Sequence, residues 1–127
     1  MADELKVSRS TPTITVSHIG HSIRFYQTLG FAVEKQYLND KGDLRAAMLR
    51  AGSAWLGLAQ DDFAQGSERV KGVALRFFFE LGEPVIPQLT EKLEAAGLTI
   101  RPPFRLPWGA LAIALTDPDG FAITICE

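Results

Sequence analysis

Residues 11–31 read TPTITVSHIGHSIRFYQTLGF, and the two halves of this stretch have different periods. In the first, Pro12, Ile14 and Val16 are apolar while Thr11, Thr13 and Thr15 are polar. A period of two rich in β-branched residues predicts a strand with one buried face. In the second, Ser17 stands where an N-cap is expected, and Ile19, Ile23, Tyr26 and Leu29 recur at helical spacing. Gly30 closes the helix as a left-handed cap does. A strand running directly into a helix is the opening of a βα unit.

Downstream, three strands are expected at Phe31 to Leu38, Leu44 to Leu49 and Ala54 to Ala59. Asn39-Asp40-Lys41-Gly42 and Ala51-Gly52-Ser53 supply the hairpin turns between them. Asp61 to Arg69 is polar, contains Gly66 and reads as the longest loop. The same order then returns. Gly72 to Phe79 reads as an apolar strand, and Pro84 suits the first turn of a helix with Val85, Leu89, Leu93 and Ala96 as its buried stripe. Gly97 ends that helix. Leu98-Thr99-Ile100 begins another strand, and Ala110 to Thr116 and Phe121 to Cys126 follow, joined by Asp117-Pro118-Asp119-Gly120. Leu29-Gly30-Phe31-Ala32-Val33 is echoed by Ala96-Gly97-Leu98-Thr99-Ile100. The expected fold is α+β: βαβββ twice, module one about 11–66 and module two about 67–127, after a flexible segment over residues 1–10.

At 127 residues, one domain with a sizeable core is expected. Thirteen basic and fifteen acidic side chains leave a net charge of −2, so no basic excess exists to neutralise a nucleic-acid backbone. The longest apolar run, Ala110 to Leu115, is too short to span a bilayer. Residues 1–6 lack the basic and apolar pattern of a secretory leader. One cysteine, Cys126, suits a reducing cytoplasm.

Ser22-Ile23-Arg24-Phe25-Tyr26 followed by Leu29-Gly30-Phe31 resembles the helix-one signature of the vicinal oxygen chelate superfamily, which includes glyoxalase I, extradiol dioxygenases and bleomycin-resistance proteins. Asp117-Pro118-Asp119-Gly120 with Ile123 and Ile125 resembles its last hairpin, and Pro107-Trp108-Gly109 a segment of bleomycin-resistance proteins. The resemblance implies two modules whose mixed β-sheets curl into a cup with the helices outside, and a homodimer. Enzymes of the superfamily hold a divalent metal in the cup through four His, Glu or Gln side chains. Those positions fall on Thr11, Gly57, Ala74 and Thr124, the third with a possible slip to Val73, and none is a usual ligand. The branch it resembles is therefore the metal-free, bleomycin-resistance-like one, with no cofactor expected.

Strand parity indicates what lines the cup. Thr13 and Thr15 point inward if Ile14 and Val16 pack on the helix. Leu75, Phe77 and Phe79 make the better core face of module two, which turns Ala74, Arg76 and Phe78 into the cup. Trp55, Gly57 and Ala59 share a cup face, as do Ala122, Thr124 and Cys126. The candidate ligand-binding residues are thus Arg76, Trp55, Trp108, Phe78, Thr13, Thr15 and Thr124. Aromatic walls supply contact area and a few polar groups set orientation. Arg76 needs an acidic partner, a ligand carboxylate or phosphate, or an edge position reaching water. His18 and His21 are spaced i, i+3, but no third donor completes a metal set, and an exposed first turn is the plainer reading. Asp117 and Asp119 read as turn formers. The charged loop Asp61, Asp62, Glu68, Arg69 reads as solvated, with closure over the cleft as the alternative.

These features point to a metal-independent protein that buries a small molecule in a cleft of a homodimer. Arg76 inside the cleft, with Arg101 and Arg105 as candidates near it, favours an anionic or neutral aromatic ligand over a cationic drug. The alternative is a metal-dependent lyase, isomerase or dioxygenase with relocated ligands.

Overall fold

The computed structural model describes residues 4–127. Its elements run β1 (Thr13–Val16), α1 (Ile19–Leu29), β2 (Ala32–Leu38), β3 (Leu44–Ala51), β4 (Ala54–Gln60), β5 (Arg76–Glu80), α2 (Ile86–Ala95), β6 (Arg101–Arg105), β7 (Leu111–Thr116) and β8 (Ala122–Cys126). Two mixed four-stranded sheets result, ordered β1-β4-β3-β2 and β5-β8-β7-β6. In each, the first strand pairs parallel to the last and the remaining pairs are antiparallel. The βαβββ unit is therefore present twice.

Alternation decides which way each sheet faces. In β1, Ile14 and Val16 are buried while Thr13 is exposed and Thr15 half-buried. Leu56 and Leu58 continue the buried face in β4, as do Ile123 and Ile125 in β8. These side chains pack under α1 and α2 and join one hydrophobic cluster that crosses the module boundary. A file of rings marks the crossing: Tyr26 to Phe31 at 5.6 Å, Phe31 to Phe79 at 5.6 Å, Phe79 to Phe77 at 5.8 Å. Each fully buried aliphatic or aromatic side chain contributes about 1.5–3 kcal/mol. The core faces of the two modules are thus turned toward each other, and the Thr13 and Arg76 faces are turned away.

Several elements differ from the sequence reading. β5 begins at Arg76 rather than Gly72, because Gly72 (φ 76°) and Ala74 (φ 62°) are left-handed and cannot continue a strand. Leu75 consequently lies outside β5 and is 40% exposed rather than in the core. The strand expected to begin at Leu98-Thr99-Ile100 starts instead at Arg101 and runs to Arg105, across Pro102 and Pro103. It is an edge strand, where a missing N–H costs the ladder nothing, and its register slips between Arg101 and Phe104. The buried stripe of α2 is Ile86, Thr90 and Leu93, with Leu89 partly buried and Ala96 exposed. Val85 is the N-cap, so Pro84 lies ahead of the helix and Pro87 is the proline of its first turn.

The start of α1 is also built differently. His18, not Ser17, is the N-cap and makes no side-chain cap bond. The first helical N–H, of Ile19, instead donates 2.8 Å to Oε1 of Gln60 at the end of β4. The Gln60 amide donates in turn to the Ser17 carbonyl at 2.7 Å. Gly30 closes α1 with φ 114° as expected.

Candidate functional site

The seven candidate ligand residues separate into two groups on two sheets. In module two, Arg76 lies beside Ala122 and Phe78 beside Thr124 in the β5–β8 ladder. The Trp108 ring, in the β6–β7 turn, sits 6.0 Å from that of Phe78. Both rings are open to solvent, 40% and 68% exposed. Thr124 is buried beneath them and Arg76 is exposed on the edge strand. Among the described residues both ion pairs belong to Asp61, so Arg76 takes the solvent-reaching edge position.

Two further side chains join this face. Arg101 pairs with Ala114 and Ala114 with Thr124, which places Arg101 on the side of Phe78. Its guanidinium lies 4.2 Å from the Phe104 ring centre. Sequence reading noted Arg101 only as near the cleft and did not find Phe104, because a strand through two prolines was not anticipated.

In module one, Thr13 pairs with Gly57 and Thr15 with Ala59. Gly57 has no room for a side chain: a Cβ there would run into Thr13 Oγ1. Trp55 shares this face, but its ring is already engaged. The Arg9 guanidinium lies 3.9 Å over it and that of Arg50, its cross-strand partner, lies at 5.4 Å. The Arg50–Trp55 contact follows from the two-residue hairpin at Gly52-Ser53, whereas nothing in the sequence pointed to Arg9.

The four positions mapped to superfamily metal ligands do not assemble a donor set. Thr11 precedes β1, Gly57 is filled over by Thr13, Ala74 lies in the left-handed linker, and Thr124 pairs with Phe78. Among the described residues no three His, Cys, Asp or Glu side chains converge. The residues present do not fit the superfamily's divalent metal. His18 and His21 are exposed, their rings 5.2 Å apart.

The acidic residues have structural partners. Asp61 is buried rather than solvated, with Oδ2 2.9 Å from Nζ of the buried Lys71 and 3.8 Å from Arg69. The Lys71 ammonium, with the Phe63 N–H donating to Oδ1, holds its carboxyl below the usual range. Asp117 and Asp119 do more than form a turn. Oδ2 of Asp117 accepts from Tyr26 Oη at 2.8 Å, and the Asp119 carboxylate accepts from Ser17 N–H at 3.1–3.2 Å. Burial pushes the Asp117 carboxyl up despite the Tyr26 hydrogen bond that opposes it. Burial and the neighbouring Asp117 push the Tyr26 phenol far above its ordinary value. Burial likewise raises the Cys126 thiol, so the lone cysteine is no ready nucleophile.

No helix of the described residues is long and apolar enough to cross a membrane. The family model of the Glyoxalase/Bleomycin resistance protein/Dioxygenase superfamily matches residues 9–125. Similar solved structures include a bleomycin-binding protein complexed with bleomycin, 19% identical, with a TM-score of 0.66 over 95% of this chain and 98% of that one. A bleomycin resistance determinant encoded on the transposon Tn5 is 19% identical, with a TM-score of 0.68 over 95% and 98%. TioX from Micromonospora sp. ML1 is 15% identical, with a TM-score of 0.74 over 95% and 98%. At these identities the likeness is one of fold. No curated protein sequence matches the chain.

Proposed function

The chain belongs to the Glyoxalase/Bleomycin resistance protein/Dioxygenase superfamily, and on that premise we propose that it is a metal-independent binding protein for a small anionic or aromatic molecule. One observation carries the reading: Phe78 and Trp108 form an exposed ring pair beside the solvent-facing Arg76. Two large rings left open to water lose hydrophobic stabilisation that a planar ligand would restore. Arg76 offers a fork of donors to a carboxylate or phosphate on that ligand. Arg101, on β6 at the opposite edge of the same sheet, adds to the positive field of that face.

A homodimer completes the site in this reading. The core faces of the two modules are shared within one chain, so the Thr13 face and the Arg76 face each lie open. Pairing with a second copy brings the Thr13–Gly57 face of one protomer over the Phe78–Trp108 face of the other. Ligand and partner then bury the same rings. A lone buried cysteine is compatible with a cytoplasmic setting.

The test is a titration with 1-naphthoate, followed by tryptophan emission and by sedimentation velocity. Saturable binding to a dimer, weakened at least about tenfold by Arg76→Ala, is the expected result. Equal affinity of wild type and Arg76→Ala would sink the anion assignment. Metal analysis of the purified protein runs alongside, and a stoichiometric divalent ion would overturn metal independence.

A further inference from the structure

The duplication of the fold breaks down at one place, and the break leaves a cavity. Where α1 meets module two, the β7–β8 turn from Asp117 to Phe121 reaches over the helix and closes the junction through Tyr26 and Ser17. The corresponding turn of module one joins Ala51 to Ala54 through Gly52 and Ser53 alone. It carries no acidic side chain and no large one. Between it and α2 lies a cavity of about 710 Å³, within the range of drug-sized pockets.

The walls of this cavity are mostly apolar, and it adjoins the cup at Phe78, which lines both. Small residues, Ala51 to Ala54, form one side, and bulky apolar ones, among them Phe31, Phe79 and Leu89, the other. Glu80 is the one charged side chain in the lining, and it is exposed at the open edge of β5. Glu127 lies at the adjoining start of α2, its Oε2 3.3 Å from the Ile86 N–H. The mouth is therefore acidic: Glu80 shares its β5 face with Phe78 and Arg76 but stands at the far end of the strand from Arg76, beside Cys126.

We propose that the cavity between the β3–β4 turn and α2 is a second binding site, which takes an apolar molecule bearing a protonated amine. The apolar body fills the space against Phe31, Phe79 and Leu89, and the ammonium group meets Glu80 at the mouth. This site does not depend on the anion-binding reading of the cup. Its charge preference is the opposite.

The experiment is an NMR titration of the full chain with 4-phenylbutylamine and with its neutral counterpart 4-phenylbutanol. Expected are saturable shifts at Ala51–Ala54, Leu81 and Leu89, with the amine bound about threefold to fivefold more tightly, as a partly exposed ion pair allows. Glu80→Gln, an exposed substitution, is expected to erase the difference between the two probes. Ala54→Phe fills the space and is expected to abolish both. Shifts confined to Trp108, Arg76 and Thr13, or equal affinity for amine and alcohol, would overturn the proposal. So would no saturation below about 10 mM, or binding lost on dilution in step with a dimer, which would mean that a second copy covers the cavity.

Discussion

The phenol of Tyr26 donates a 2.8 Å hydrogen bond to Oδ2 of Asp117, 91 positions further along the chain and in the other module. The second oxygen of the same carboxylate accepts from the Asp119 and Phe121 N–H groups, at 2.9 Å each. One buried side chain thus shapes a turn and fastens it to α1. Tyr26→Phe removes one donor from a buried carboxylate and is expected to cost about 1–3 kcal/mol. Asp117→Ala strands three donors at once and should cost clearly more. Urea unfolding of the two variants gives the comparison, and an Asp117→Ala loss no larger than that of Tyr26→Phe would contradict this arrangement.

Acid titration should separate two carboxylates with opposite signs. Burial raises Asp117 above its ordinary 3.8, so the folded chain holds this proton more tightly than the unfolded one. Its contribution is fully present below pH 3.8 and is lost as pH rises through the folded value. Lys71 lowers Asp61 below 3.8, so that contribution is present above 3.8 and is lost as pH falls through the folded value. Unfolding free energies measured from about pH 2 to pH 7 should lose their acid-side fall in Asp61→Asn. Asp117→Asn keeps an acceptor for both turn N–H groups and should lose the decline above pH 3.8 instead. Identical pH profiles for wild type and both variants would refute the assignment.

Much of the architecture could be read from local pattern, because period and punctuation act within a few residues. Ile14 and Val16 announced β1, and Gly30 announced the end of α1. The first miss, at Gly72 to Leu75, comes from an apolar run without periodicity, and the second is a strand start set three residues too early, at Leu98 instead of Arg101. An apolar run does not reveal that Gly72 and Ala74 adopt positive φ, or that an edge strand can carry two prolines. Strand parity puts Phe78 and Thr124 on one face, as they pair in the β5–β8 ladder, whereas Trp108 reaches Phe78 from the β6–β7 turn, which parity does not cover. What occupies a face did not follow. Arg9 reaches Trp55 from outside every element, and Asp119 reaches Ser17 from 102 positions away.

Gly72 makes a close approach that no other residue can repeat. Its φ of 76° is left-handed, and a Cβ there would stand 2.5 Å from the backbone carbon and oxygen of Gly120. Gly120 belongs to the turn that Asp117 holds against α1, so it cannot yield without loosening that contact. Gly72→Ala is expected to cost about 2–5 kcal/mol, backbone strain plus overpacking. Gly97 is also left-handed, at φ 90°, but its Cβ would meet open space. Gly97→Ala should therefore pay the backbone term alone, about 1–2 kcal/mol. Equal thermal shifts for the two variants would show that the linker does not pack on the turn.

Arg9 lies over one ring on the Thr13 face, and its removal should be visible optically. Its guanidinium sits 3.9 Å from the Trp55 ring centre, and Arg50 holds a second, longer contact at 5.4 Å. Exposed cation–π pairs contribute about 0.5–1 kcal/mol, so Arg9→Ala should barely change stability. It should nevertheless uncover the indole. In a Trp108→Phe background, where Trp55 is the only indole, Arg9→Ala is expected to shift emission to the red and to raise quenching by iodide. The same substitution should leave emission unchanged when made in a Trp55→Phe chain that retains Trp108, because Trp108 packs against Phe78 on the other sheet. If iodide quenches Trp55 equally with and without Arg9, the arm does not cover this face, and any ligand there meets a bare indole from the start.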